Sequence, residues 1–166
     1  MALTTAQKQT LAAHIRANLD PIVVAALAAR NDVAITAYYN APGATLAWRV
    51  AAPRELLFEE TPIAQFDTLS AGKRDAWSLV LGMANVNATR NKVRKGIVDI
   101  WGNTATTTAI LTDACTEFAR LIETVLGGAT VTEVVLSPGT DVTALRRNFV
   151  GQALLADVSD ALNENP

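Results

Sequence analysis

The sequence predicts a mainly α-helical protein: a compact helical domain of about seven helices, with a small β-hairpin near the C-terminus. Three observations lead there. Half of the residues are apolar, while only 5% are aromatic and 18% charged. Capping and breaking residues recur at helix-length intervals, and the texture turns to valine and threonine after Gly127-Gly128. With 166 residues the chain suffices for one domain or two small ones, and such a chain buries about two-thirds of its surface on folding. Its wealth of aliphatic side chains excludes disorder. Nine glycines, six prolines and one cysteine exclude collagenous and disulfide-rich classes.

The elements follow in order. Thr4 and Gln7 have the spacing of a capping box, opening a helix that runs to about Asn18 with Leu11 and Ile15 on its apolar face. Asp20-Pro21 starts a second helix, because Asp accepts from free amides and Pro fits the first turn. Asn31-Asp32 restarts the chain toward Ile35, Tyr38 and Tyr39, and Asn40 to Gly43 breaks it. Thr45 to Val50 reads as a short extended segment. Pro53 opens a helix carrying Leu56, Leu57 and Phe58, which Thr61-Pro62 ends. Ser70 caps a helix with Trp77, Val80, Leu81 and Ala84 on one face. Asn87 is the expected cap of another, with Val93, Ile97, Ile100 and Trp101 inward and Gly102-Asn103 as its stop.

The plainest helical pattern runs from about Thr107 to Leu126. Leu111, Ala114, Phe118, Leu121, Ile122 and Val125 repeat at helical spacing, and Gly127-Gly128 follows. Beyond it, Thr130 to Leu136 and Thr143 to Val150 read as the two strands of a hairpin, with a helix from Asp141 as the competing assignment. A short helix over about 155–163 closes the chain. The expected division is a helical domain over 1–128, then the hairpin and last helix over 129–166.

Lysine and arginine number 14 against 16 acids, so the net charge of −2 points to no nucleic-acid partner by itself. The distribution is uneven. Lys73, Arg74, Arg90, Lys92, Arg94 and Lys95 fall within 23 residues holding one acid, Asp75. Upstream, Glu55, Glu59 and Glu60 form an acidic face. The basic set is a candidate for DNA or inter-subunit contact, and the acidic set for inter-subunit contact. Solvation alone is the plain alternative for both.

No catalytic, cofactor-binding or metal-binding residue is expected. His14 is the only histidine and Cys115 the only cysteine, whereas a transition-metal site takes three or four ligands. None of the four serines sits in a Gly-x-Ser-x-Gly elbow, and no phosphate-cradling glycine loop occurs. His14 reads as a helix position and Cys115 as a small buried hydrophobe. The start, MALTTAQKQT, shows no secretory pattern. The longest apolar runs fall far below the roughly 18 residues that span a bilayer. A soluble, non-enzymatic protein is expected.

The Thr-Thr-Ala-Gln opening, Tyr39-Asn40, Leu46 to Arg49, the run Asn91 to Trp101, Phe149 to Gly151 and Asp157-Val158 carry a further indication. In these segments the chain resembles a family of small structural proteins of tailed bacteriophages. The resemblance implies a virion subunit of the head–tail connector, of adaptor type. Such adaptors are helical, form rings under the portal, a dodecamer being the expected stoichiometry, and bridge the portal to the next neck or tail protein. It also implies a place in the neck of the virion after synthesis in the host cytoplasm, and non-specific contact with packaged DNA. Those relatives are more basic in the long helix, whereas here Glu117 and Glu123 surround Arg120. Another capsid- or tail-associated structural protein, or a small DNA-binding regulator, are the alternative readings.

Overall fold

A computed structural model describes residues 2–127, 130–134, 142–147 and 149–164. Among these are ten α-helices and six short strands, so the mainly helical expectation holds. The chain forms two compact units. One comprises Met1–Thr45, Phe118–Ala129 and Arg147–Pro166, the other Leu46–Glu117 and Thr130–Arg146.

In the first unit, α1 (Thr5–Ala17) opens with the expected capping box: Gln7 N donates to Thr4 Oγ1 and Thr4 N donates to Gln7 Oε1. Helix α2 (Pro21–Ala28) has Asp20 accepting from Ile22 N, and α3 (Asp32–Asn40) has Asn31 accepting from Ala34 N. Helices α9 (Leu121–Leu126) and α10 (Leu155–Glu164) complete the unit. Helix α1 packs against α9 and α10, and α3 against α2, α9 and α10. Their shared core holds Leu11, Ile15, Val23, Ile35, Tyr39, Ile122, Phe149 and Val158. At the end of α3, the Asn40 amide pairs with both backbone groups of Ala153, each bond 2.9 Å long.

Glu123 is the polar centre of this unit, with a side chain 1% exposed. Its Oε2 accepts from Arg147 Nη1 at 3.1 Å and from Arg120 N at 3.0 Å; Oε1 accepts from Gly151 N at 3.0 Å. One carboxylate therefore joins the start of α9 to two positions of the C-terminal segment.

In the second unit the chain forms α4 (Arg54–Glu59), α5 (Ile63–Thr68), α6 (Ala71–Leu81), α7 (Asn91–Trp101) and α8 (Ala105–Ala109). Helix α5 is an addition to the expected elements. With Pro62 at its head and only six residues, it offered too few periodic positions to be seen in sequence. Asn87 does not cap α7, which begins at Asn91; Asn87 instead accepts from Thr89 N in a tight turn. Strands β2 (Ala52–Pro53) and β3 (Asn85–Val86) pair antiparallel. Trp77 and Trp101 meet edge to face at 5.4 Å in a core that includes Trp48, Leu57, Ile97, Ile110 and Leu111.

A larger sheet runs in the order β4 (Thr116–Arg120), β1 (Pro42–Trp48), β6 (Val142–Leu145), β5 (Thr130–Val134). In the second unit Ala47 of β1 pairs parallel with Leu145, and β5 pairs antiparallel with β6. The hairpin strands are thus present and the helix from Asp141 is not. Strand β6 stops at Leu145, short of the expected Val150, where Arg147 turns to Glu123. Residues 135–141 of the expected hairpin lie outside the described residues.

The largest correction concerns 107–126, which is not one helix. Helix α8 passes into a π-helical turn, Ile110–Ala114, then into β4 and α9. Six threonines lie between 104 and 116; Thr116 Oγ1 donates to the Thr112 carbonyl, and such back-bonding bends helices. Cys115 N reaches Ile110 O at 3.0 Å, the wide ring of a π turn. The next backbone groups are taken by the end of β1: Arg49 N donates to Cys115 O at 2.8 Å and Arg49 Nε to Thr116 O at 2.7 Å. Within the first unit Leu121 N donates to Ala41 O at 3.1 Å. Tertiary partners replace the helical ones, and apolar spacing alone does not report that.

Replacing Glu123 by alanine removes a buried carboxylate that accepts from Arg147, the Arg120 amide and the Gly151 amide, so Glu123→Ala should lower stability by about 3–5 kcal/mol in urea denaturation. Arg54→Ala, which breaks the exposed Arg54–Glu55 pair, should change it by no more than about 0.5 kcal/mol.

Candidate functional site

The second unit carries both charged sets. Helix α7 is strongly amphipathic, with Ile97, Ile100 and Trp101 buried and Lys92 and Lys95 exposed. Arg90 is exposed just before the helix, Lys73 is exposed on α6, and Arg74 is half-buried there. Five of the six basic candidates therefore reach the surface.

Arg94 does not. It is fully buried, with its guanidinium carbon 4.5 Å from the centroid of a Trp48 ring and Nη1 donating to the Ala88 carbonyl. Burial, with the charge of Arg146 second, pushes the guanidinium down to about 10, which leaves it charged at neutral pH. Its place on the helix fits this burial. Arg94 precedes Ile97 by three residues and Trp101 by seven, the stride of the buried stripe itself. Its role is a cation–π and hydrogen-bonded prop inside the core, which removes it from any surface contact with DNA or a neighbour.

The acidic set lies on α4. Glu55 and Glu59 are exposed and Glu60 is half-buried. Glu55, Glu59 and Arg54 rim an open groove of about 600 Å³ floored by Phe58 and Leu81. The groove thus joins an apolar floor to a net acidic rim. The pattern of glutamates marked the rim, whereas the exposure of Phe58 at 59% was not readable from its place in an apolar triplet.

The first unit exposes a different surface. Helix α2, Pro-Ile-Val-Val-Ala-Ala-Leu-Ala, is apolar all round, yet only Val23 and Ala26 of it are buried. Ile22 and Val24 on the helix are exposed, as are Leu19 before it and Val33 on α3, with Leu19 at 89%. A helix apolar on every side normally sits inside protein.

His14 and Cys115 are the remaining candidates. His14 is exposed and its Nδ1 lies 2.8 Å from the Tyr39 hydroxyl, which also accepts from Asn18. Cys115 is buried, and burial pushes its thiol up to about 12 from an ordinary 9.0, so the nucleophilic thiolate is disfavoured. Among the described residues no group of three or more His, Cys, Asp or Glu is placed to hold a metal ion. Among them, too, no single helix is long and apolar enough to cross a membrane. The chain matches no protein-family model, no curated protein and no solved structure.

Three outcomes follow for the second unit. Arg94→Ala should cost about 2–3 kcal/mol in chemical denaturation, the size of a lost charge-assisted hydrogen bond with its cation–π contact. Alanine at Arg90, Lys92 or Lys95 should stay within about 0.5 kcal/mol of the parent. The raised Cys115 value also has a sign. Between the unfolded value of 9.0 and the folded value of about 12 the unfolded chain releases the proton first. Stability therefore falls as pH climbs through that window, and comparison of denaturation midpoints with Cys115→Ala should show the extra slope only in the parent.

Proposed function

We propose that this chain is a structural subunit of a tailed-phage head–tail connector, an adaptor that bridges the portal to the next neck or tail component. The observation that carries the assembly part of this reading is α2. Ile22, Val24, Leu19 and Val33 present aliphatic surface to water from one small region of sequence, and a helix apolar on every side that stays largely uncovered suits contact with another macromolecule. The connector part rests on the resemblance of the sequence to small phage structural proteins, and the mainly helical fold agrees with what that resemblance implies.

The charged sets fit the same role. A ring grows through heterologous contacts, in which one surface of a subunit meets a different surface of the next. The exposed glutamates of α4 and the exposed Lys92 and Lys95 of α7 are two such unlike surfaces. In this reading the subunit acts as a non-enzymatic part of a homo-oligomeric ring in the virion neck. Its lysines are also available for sequence-independent contact with packaged DNA.

The test is assembly with the portal. Mixed with its portal protein at low salt, the chain should form a ring complex visible by electron microscopy, and Ile22→Lys with Val24→Lys should abolish the complex while circular dichroism stays that of the parent. A parent protein that remains monomeric and unbound beside the portal sinks the connector reading. Density for the chain elsewhere in the particle replaces it with another capsid or tail role.

A further inference from the structure

Glycine aside, Arg30 is the only described residue with a positive φ, at 52°. It follows α2 in the bonding pattern of a left-handed helix stop: Asn31 N donates to Ala26 O at 2.8 Å and Arg30 N to Leu27 O at 3.1 Å. Glycine fills that position without steric cost, whereas any residue with a Cβ does not. The strained residue lines a cavity of about 430 Å³ in the first unit.

A second arginine lines the same cavity. Arg16, in the last turn of α1, donates from Nη2 to Leu162 O at 3.1 Å, which holds its guanidinium at the end of α10. Neither guanidinium has a carboxylate in ion-pair range among the described residues. Asp32 also lines the space, but its Oδ2 is taken by the Ser159 hydroxyl at 2.5 Å. Leu27, Ile35 and Leu162 supply an apolar wall.

We infer that this cavity is a binding site for an oxyanion, phosphate or carboxylate, carried on a small apolar body. Two arginines that have no carboxylate partner among the described residues, one of them at a strained backbone position, line one concavity. Guanidinium forks match the paired oxygens of both groups. The aliphatic wall receives the body, as in small-molecule sites generally. Asp32 disfavours a second negative charge and offers an acceptor to a ligand hydroxyl or amine. The inference is independent of the connector reading, because it uses the first unit's cavity and needs no assembly.

The test is calorimetric titration of the full chain at low ionic strength with phenyl phosphate, benzoate and inorganic phosphate. Phenyl phosphate or benzoate should bind at least tenfold more tightly than inorganic phosphate, and whichever binds more tightly identifies the oxyanion. Arg16→Ala should weaken the tighter ligand at least tenfold. Arg30→Gly separates strain from binding: it should raise the thermal midpoint of the free protein while losing at least tenfold in affinity. Absence of binding by both organic anions at millimolar concentration, or affinity unchanged in both variants, overturns the site.

Discussion

The buried carboxylate of Glu123 ties three segments of the first unit together. Glu123 starts the short helix α9 by accepting from the Arg120 amide, and the same group accepts from Arg147 and from the Gly151 amide. Burying a carboxylate costs several kcal/mol unless it is paired and hydrogen-bonded, and each of these donors offsets part of that cost. The consequence is geometric. The C-terminal segment has to pass α9 at these positions for the charge to be satisfied, which in turn sets Phe149, Ala153 and Val158 against the core that α1 and α3 complete.

The second unit has its own buried ion, with opposite sign. Arg94 lies under Trp48, and its guanidinium reaches the Ala88 carbonyl just ahead of α7. Both cores are made largely of small and aliphatic side chains, as 30 alanines and few aromatics require. Such side chains let helices approach closely but bury little area each, at about 25 cal/mol per Å². Specific polar anchors then determine more of the arrangement than bulk does. The apolar helix α2, of which only Val23 and Ala26 are buried, leaves part of the available apolar surface open to water.

The charged candidates were legible to the extent that charge seeks water. Lys73, Arg90, Lys92, Lys95, Glu55 and Glu59 are all exposed, as desolvation costs demand. Arg94 broke the rule because a local aromatic face and a carbonyl stood ready to receive it, and those partners lie far from it or outside its helix in sequence. The paired arginines Arg16 and Arg30 were not legible at all. They end two different helices, and only the packing of those helices makes them walls of one cavity.

By itself the sequence determined what is settled within a few residues. The Thr4–Gln7 box, Asp20-Pro21, Asn31, Gly102 and the inward stripe of α7 all act through bonds and sterics local to one turn, and each stands where its residues put it. Tertiary structure alone decided the stretch from 107 to 126. Its apolar spacing suits a helix, yet back-bonding threonines weaken the helical ladder, and distant backbone partners from the end of β1 claim Cys115 and Thr116. Hydrogen-bonding groups settle wherever they are most fully satisfied, and for this stretch that place was set by residues more than sixty positions away.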